Sequence, residues 1–186
     1  RYNAQVFTTQ TTINGFAYGG TLSDYLIGSA ENSTLSGGRG DDVLEGDALV
    51  SNTYLVEAGD GIDEIRDVGN QSVAGVAKTN TVRFGAGIGL ADISINLAAG
   101  AGFGGGDLIE IRIGSTDKLT LSPTDRLDVV DSRTIDRLEF SDGTARTWAQ
   151  LLAEKGVDVA GLGTSFVGGS NVNDRILGTS ASEDIT

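Results

Sequence analysis

Gly37 to Glu45 reads GGRGDDVLE, a nine-residue cassette of the form G-G-x-G-x-D-x-U-x, where U is a large aliphatic residue. Its glycines can adopt positive φ and leave their backbone carbonyls uncovered, and a carboxylate follows at Asp42. A loop of free carbonyls ending in a carboxylate suits a hard cation that takes roughly six to eight oxygens. The cassette recurs in register. Gly19 to Ile27 (GGTLSDYLI) and Gly28 to Ser36 (GSAENSTLS) precede it, and Ala58 to Arg66 (AGDGIDEIR) follows. The acidic slot holds Asp24, Ser33, Asp42, Asn52 and Asp63 in turn, so strong and weak oxygen donors alternate. Gly169 to Leu177 and Gly178 to Thr186 resume the period with Asp174 and Glu183. An isolated copy would read as an aspartate capping a turn; several copies in register do not.

These loops need elements to hold them. The aliphatic slot is filled by Leu26, Leu35, Leu44 and Ile65, each at the centre of a short alternating stretch that predicts a strand. Further on, Thr81 to Phe84, Ile93 to Leu97, Ile109 to Ile113, Leu119 to Leu121 and Leu138 to Phe140 alternate with the same period of two. Val68 to Lys78 reads as a connecting loop. One helix is predicted from Trp148: Thr147 and Gln150 have capping-box spacing, Trp148, Leu151 and Leu152 share a face, and Gly156 follows Lys155 as a stop. Its expected task is to cover the end of the strands.

Composition narrows the function classes. With 28 glycines and 6% aromatic residues in 186, the chain has little large side-chain volume for a compact core, and a repeat stack with a thin aliphatic core fits better. The net charge of -13 argues against nucleic acid or an anionic membrane as a partner. There is no cysteine for a disulfide framework and no histidine to act as general base or zinc ligand. No apolar run is long enough to span a membrane. The absence of methionine marks the sequence as a piece of something longer.

Other patterns take plainer readings. Arg39-Gly40-Asp41 spells RGD, but inside a cassette where any x-G-x would serve. Gly100, Gly102 and Gly105 fit G-x-G-x-x-G, yet the strand LIEIRI follows where a dinucleotide site needs a helix, so the stretch reads as a hairpin loop. Asp125, Asp128, Asp131 and Asp136 read as a solvated acidic face. The 26 acidic residues fall in loop slots or on the solvent side of strands, which argues against a catalytic carboxylate pair.

GGRGDDVLE and its in-register neighbours resemble the haemolysin-type calcium-binding nonapeptides of RTX proteins. TYLVEAGDGIDEIRD resembles the sequence that closes such a block, and the strand-rich remainder is similar to RTX-associated flanking regions. The resemblance implies an all-β fold, a parallel β-roll continued by a strand-rich region with one short helix. It divides the chain into a lead-in segment (1–18), a repeat block (19–66), a flanking region (67–156) and the start of a second block (157–186).

In that family two nonapeptides make one turn of the roll, and loops two cassettes apart face each other across an ion. The resemblance thus pairs the loop of Asp24 with that of Asp42, and the loop of Asp42 with that of Asp63. Carbonyls of Gly37, Arg39, Gly59 and Gly61 would complete the shells, with Asp174 in the second block. Ser33 and Asn52 would line a weaker edge. Stacked carboxylates repel without a cation, so calcium binding and folding should be one event. At the affinities of extracellular calcium modules, about 10⁻⁴ to 10⁻³ M, several sites must act together. The expected role is a non-enzymatic calcium-binding module of a secreted or cell-surface bacterial protein, with type I secretion machinery as its export partner. The rival roles are the accessory region of a secreted lipase, protease or epimerase, or a carbohydrate-binding module contacting host or cell-surface glycans.

Overall fold

The computed structural model describes residues 8–11, 15–67, 77–98, 107–124, 133–158 and 176–177. The chain shuttles between two sheets. β1 (Thr8–Thr11), β3 (Asp24–Ile27), β5 (Val43–Glu45) and β7 (Ile62–Arg66) lie parallel in one. β2 (Phe16–Gly20), β4 (Ser33–Gly38), β6 (Asn52–Val56) and β8 (Thr81–Phe84) lie parallel in the other. Odd strands on one face and even strands on the opposite face make a parallel β-roll. The strand-rich, all-β architecture anticipated from the repeat is therefore present.

Register follows the aliphatic slots. Leu26 pairs with Leu44 and Leu44 with Ile65 on one sheet. Ala17, Leu35, Tyr54 and Val82 form the matching row on the other. Leu26, Leu35, Leu44, Tyr54, Ile65 and Val82 are all 0% exposed, and each such burial is worth roughly 1.5–3 kcal/mol. Val56 and Phe84 add a second pair beside this row in β6 and β8. The core between the sheets stays thin, so glycine-rich loops without large side chains suffice around it.

The sheets run across the boundaries drawn from the sequence. β1 and the start of β2 belong to the roll although they fall in the lead-in segment. Beyond Arg66, β8 continues the second sheet, and β12 (Arg137–Glu139) pairs with it in parallel. β11 (Asp117–Thr124) continues the first sheet beside β7. The pattern then becomes antiparallel, through β10 (Asp107–Ile113) and β9 (Ile93–Ala98), while β13 (Ala145–Thr147) pairs antiparallel with β12. The antiparallel β9–β10 pairing is the one a hairpin would give; the glycines at 100, 102 and 105 lie outside the described residues.

α1 (Trp148–Lys155) begins as its capping box requires: Thr147 Oγ1 accepts from the Gln150 amide at 3.3 Å, and Gln150 Oε1 accepts from the Thr147 amide at 2.9 Å. Trp148, Leu151 and Leu152 are buried against the antiparallel strands, closing the wider end of the core. β14 (Val157–Asp158) follows and pairs in parallel with β15 (Ile176–Leu177), about two cassettes later in the chain. No helix among the described residues is long and apolar enough to cross a membrane.

Candidate metal centre

The roll has two edges, where loops from successive turns stack. At the first edge lie the loops entering β3, β5 and β7, and with them Asp24, Asp42 and Asp63. The backbone of each loop is hydrogen-bonded to the next. The Arg39 amide donates to the Gly20 carbonyl at 2.9 Å, and the Gly40 amide to the Asp60 carbonyl at 2.7 Å. Gly40 and Gly61 form an isolated parallel bridge, with φ of 134° and 111°. A Cβ at Gly61 would fall on the Gly40 carbonyl, so the loops can stack this closely only with glycine there.

The three aspartates form a ladder. Asp42 Oδ1 accepts from the Asp24 amide at 2.7 Å, and Asp63 Oδ1 accepts from the Asp42 amide at 3.0 Å. Asp24 Oδ2 turns back to its own loop and accepts from the Gly20 amide at 2.9 Å. All three are buried. Asp42 Oδ2 is buried with no hydrogen-bond partner, and Gly37 lies so close that a Cβ there would strike this carboxylate.

Burial dominates the electrostatics. It pushes Asp42 up to about 6 and Asp63 up to about 8. The amides of Asp24 and Asp42 offset part of each shift, while the neighbouring carboxylates, Asp41 and Asp60 among them, add to it. Asp60 is raised too, by burial and then by Glu57 and Asp117. The edge therefore holds more buried negative charge than its hydrogen bonds satisfy.

The second edge carries the loops entering β4, β6, β8 and β12. Ser33 and Asn52 face each other in register there, as expected, and the ladder continues further than the repeat suggests. The Asn52 amide donates to Asn80 Oδ1 at 3.1 Å, and the Asn80 amide to Asp136 Oδ2 at 2.9 Å. Asp136 is thus not part of a solvated acidic face: it ends this ladder and pairs with Arg133 at 2.9 Å. Asp125, Asp128 and Asp131 lie outside the described residues.

Of the candidate ligands, Asp24, Asp42 and Asp63 come together as a ladder, with Gly37, Arg39, Gly59 and Gly61 in the loops stacked around them. The Gly61 carbonyl already accepts from the Lys118 amide at 2.9 Å, and the Gly59 amide donates to Asp117 Oδ2 at 2.6 Å. Asp174 lies outside the described residues. Sequence reasoning passed over Asp60, which is buried and accepts from the Glu57 amide at 2.7 Å. It stands in an x slot, which the period does not mark.

Among the described residues no three acidic side chains converge as a ready-made metal cluster. An ion at the first edge would therefore draw on backbone carbonyls as well as aspartates. Comparison with known families shows which kind of loop this is: residues 18–48 match the family described as RTX calcium-binding nonapeptide repeat (4 copies). That segment carries RTX calcium-binding repeats. No curated protein matches the chain.

RTX nonapeptides bind calcium, and the first edge fits that ion. It offers an unpartnered buried carboxylate oxygen, a ladder of hard oxygen donors and closely stacked glycine-rich loops. Calcium would add positive charge to that of Arg39, whose field reaches Asp60. Asp42 and Asp63 would meet it as carboxylates, while their Oδ1 atoms keep the loops in register. The RTX match ends at residue 48, whereas the same stacking continues through Asp63 and Ile65. Repeats of this kind mark a calcium-binding module of the sort found in secreted proteins.

Proposed function

We propose that the chain is a folding and spacing module of a larger secreted bacterial protein, of adhesin, toxin or surface-layer type, with calcium as its folding trigger. The Asp24–Asp42–Asp63 ladder carries this reading, because its buried carboxylates leave Asp42 Oδ2 unsatisfied. In a calcium-poor cytoplasm the ladder's repulsion and desolvation oppose the roll, whose thin core has little surplus over conformational entropy. The chain would pass the type I secretion machinery unfolded. Outside, each bound ion stabilises the folded state by about 1.4 kcal/mol when calcium exceeds Kd tenfold, so several sites must fill together. The module itself performs no catalysis in this reading; Lys, Arg, Asp and Glu are present, but neither His nor Cys.

The test is circular dichroism of the chain in calcium-free buffer and then in millimolar calcium. The expected outcome is conversion from a disordered to a β-rich spectrum. A β-rich spectrum already present without calcium would refute calcium-triggered folding.

A further inference from the structure

The second edge contains an ion pair that the repeat does not call for. Lys78 Nζ lies 2.8 Å from Asp67 Oδ1, and the two side chains are 1% and 0% exposed. Asp67 Oδ2 accepts from Asn52 Nδ2 at 2.9 Å and from the Tyr54 hydroxyl at 2.5 Å. Asn52 Nδ2 also donates to the carbonyls of Asp47 and Val50, at 2.9 and 3.2 Å, which ties the pair to the loop entering β6. Gly46 lies against the group; a Cβ there would meet Tyr54, Asp67 and Asn52 together. The group is buried and centred on one carboxylate.

We propose that Lys78 is a tethered cation standing where the second edge would otherwise take a metal ion, and that it thereby confines calcium to the first edge. The two edges present the same problem, a buried aspartate between stacked loops, with different solutions. Asp42 has one amide donor and an unpartnered oxygen. Asp67 has two neutral donors and an ammonium. An ammonium on a four-carbon stem is a compact point charge, and unlike calcium it cannot be withdrawn by a chelator. Removing it would leave a fully buried carboxylate whose remaining donors, Asn52 Nδ2 and the Tyr54 hydroxyl, are neutral. That is a hard oxygen anion of the kind a divalent cation takes. The confinement of calcium to the first edge rests on the function proposed above; the identity of Lys78 as the cation of the second edge does not.

Bound calcium per chain, measured by metal analysis after gel filtration at fixed free calcium, tests this on the full chain. Three variants are compared with the unaltered protein: Lys78→Ala, Asp67→Asn, and the neutral pair Lys78→Met with Asp67→Asn. The expected result is one further calcium in Lys78→Ala and the unaltered count in the neutral pair. Asp67→Asn alone should also keep the unaltered count.

A folded Lys78→Ala that holds no further calcium overturns the proposal. So does a lower count in either Asp67→Asn variant, since Asp67 would then already be a calcium ligand. Should Lys78→Ala fail to fold, the neutral pair decides: folding with an unaltered count supports the proposal, and failure to fold in saturating calcium counts against it. If the unaltered protein binds no calcium, the proposed function fails by itself. Lys78→Ala would still be expected to take up one ion, and its failure to do so would sink the tethered-cation assignment as well.

Discussion

The two edges of the roll are built from the same strands, yet they are satisfied in opposite ways. At the first edge, Asp42 and Asp63 accept the amides of Asp24 and Asp42, and Asp42 Oδ2 is left buried without a hydrogen-bond partner. At the second, Ser33, Asn52, Asn80 and Asp136 fill the corresponding positions with weaker or already paired donors, and Lys78 neutralises the one fully buried carboxylate. Each first-edge loop leaves one sheet and enters the other, so an ion there would bridge both sheets. In the function proposed here, that edge senses calcium while the other keeps register without it.

The largest break in this contrast should come from Asp42→Asn. An amide keeps an oxygen for the Asp24 amide but cannot bind calcium as a carboxylate does. In millimolar calcium the urea midpoint should fall by the equivalent of at least one site, about 1.4 kcal/mol at a tenfold excess over Kd. In calcium-free buffer at pH 7 the sign should reverse, with more β-rich circular dichroism signal in the variant than in the unaltered chain, because the variant no longer buries a carboxylate whose neighbours are Asp24, Asp41 and Asp60. A variant less folded than the unaltered chain both with and without calcium would show that Asp42 is structural rather than ion-binding.

The period of nine made Leu26, Leu35, Leu44 and Ile65 readable as a stack, and with them the ladder of Asp24, Asp42 and Asp63. The capping residues Thr147 and Gln150 did the same for α1. Tyr54 and Val82 continue the apolar row. Val82 lies in the predicted strand Thr81 to Phe84, but the period places neither in the row, because longer loops break it before each and Tyr54 is not aliphatic. Asn80, Asp136 and Lys78 were illegible for a related reason. Their partners are set by strand register across long insertions, and residues 68–78 read as a loop give no sign that Lys78 points inward. Periodicity reports what repeats; the second edge is made of what departs from it.

A smaller effect sharpens the comparison through pH. Burial raises the folded-state values of Asp42 and Asp63 to about 6 and about 8, above the ordinary carboxylate range. Protonation therefore favours the calcium-free fold: the stability these groups contribute is complete below about pH 4 and is lost as pH rises through about 6 and then about 8. In calcium-free buffer the β-rich circular dichroism signal should grow as pH falls from about 8.5 to about 5. In calcium the trend should flatten or reverse, since protons then compete with the ion. Spectra recorded across that range in metal-stripped buffers check this. A calcium-free spectrum that does not change across that range would mean that the first-edge carboxylates are not desolvated in solution.

The smallest effect is expected at Ser33, the second-edge counterpart of the aspartate slots. Ser33 Oγ accepts from the Ser29 amide at 3.0 Å and donates to the Glu31 carbonyl at 3.0 Å. Both partners belong to its own loop, so Ser33→Ala removes a local turn contact worth about 0.5–1.5 kcal/mol and no inter-loop rung. Asp24→Ala should cost more, because Asp24 stands on the ladder, but less than Asp42→Ala, because its Oδ2 is committed to the Gly20 amide of its own loop. Calcium titrations of the three alanine variants, followed by circular dichroism, rank them directly. The folding midpoint should move to higher calcium in the order Asp42, Asp24, Ser33, with Ser33→Ala changing stability equally at all calcium concentrations. If Ser33→Ala shifts the calcium midpoint as far as Asp42→Ala, the second edge binds the ion too, and the asymmetry between the edges is lost.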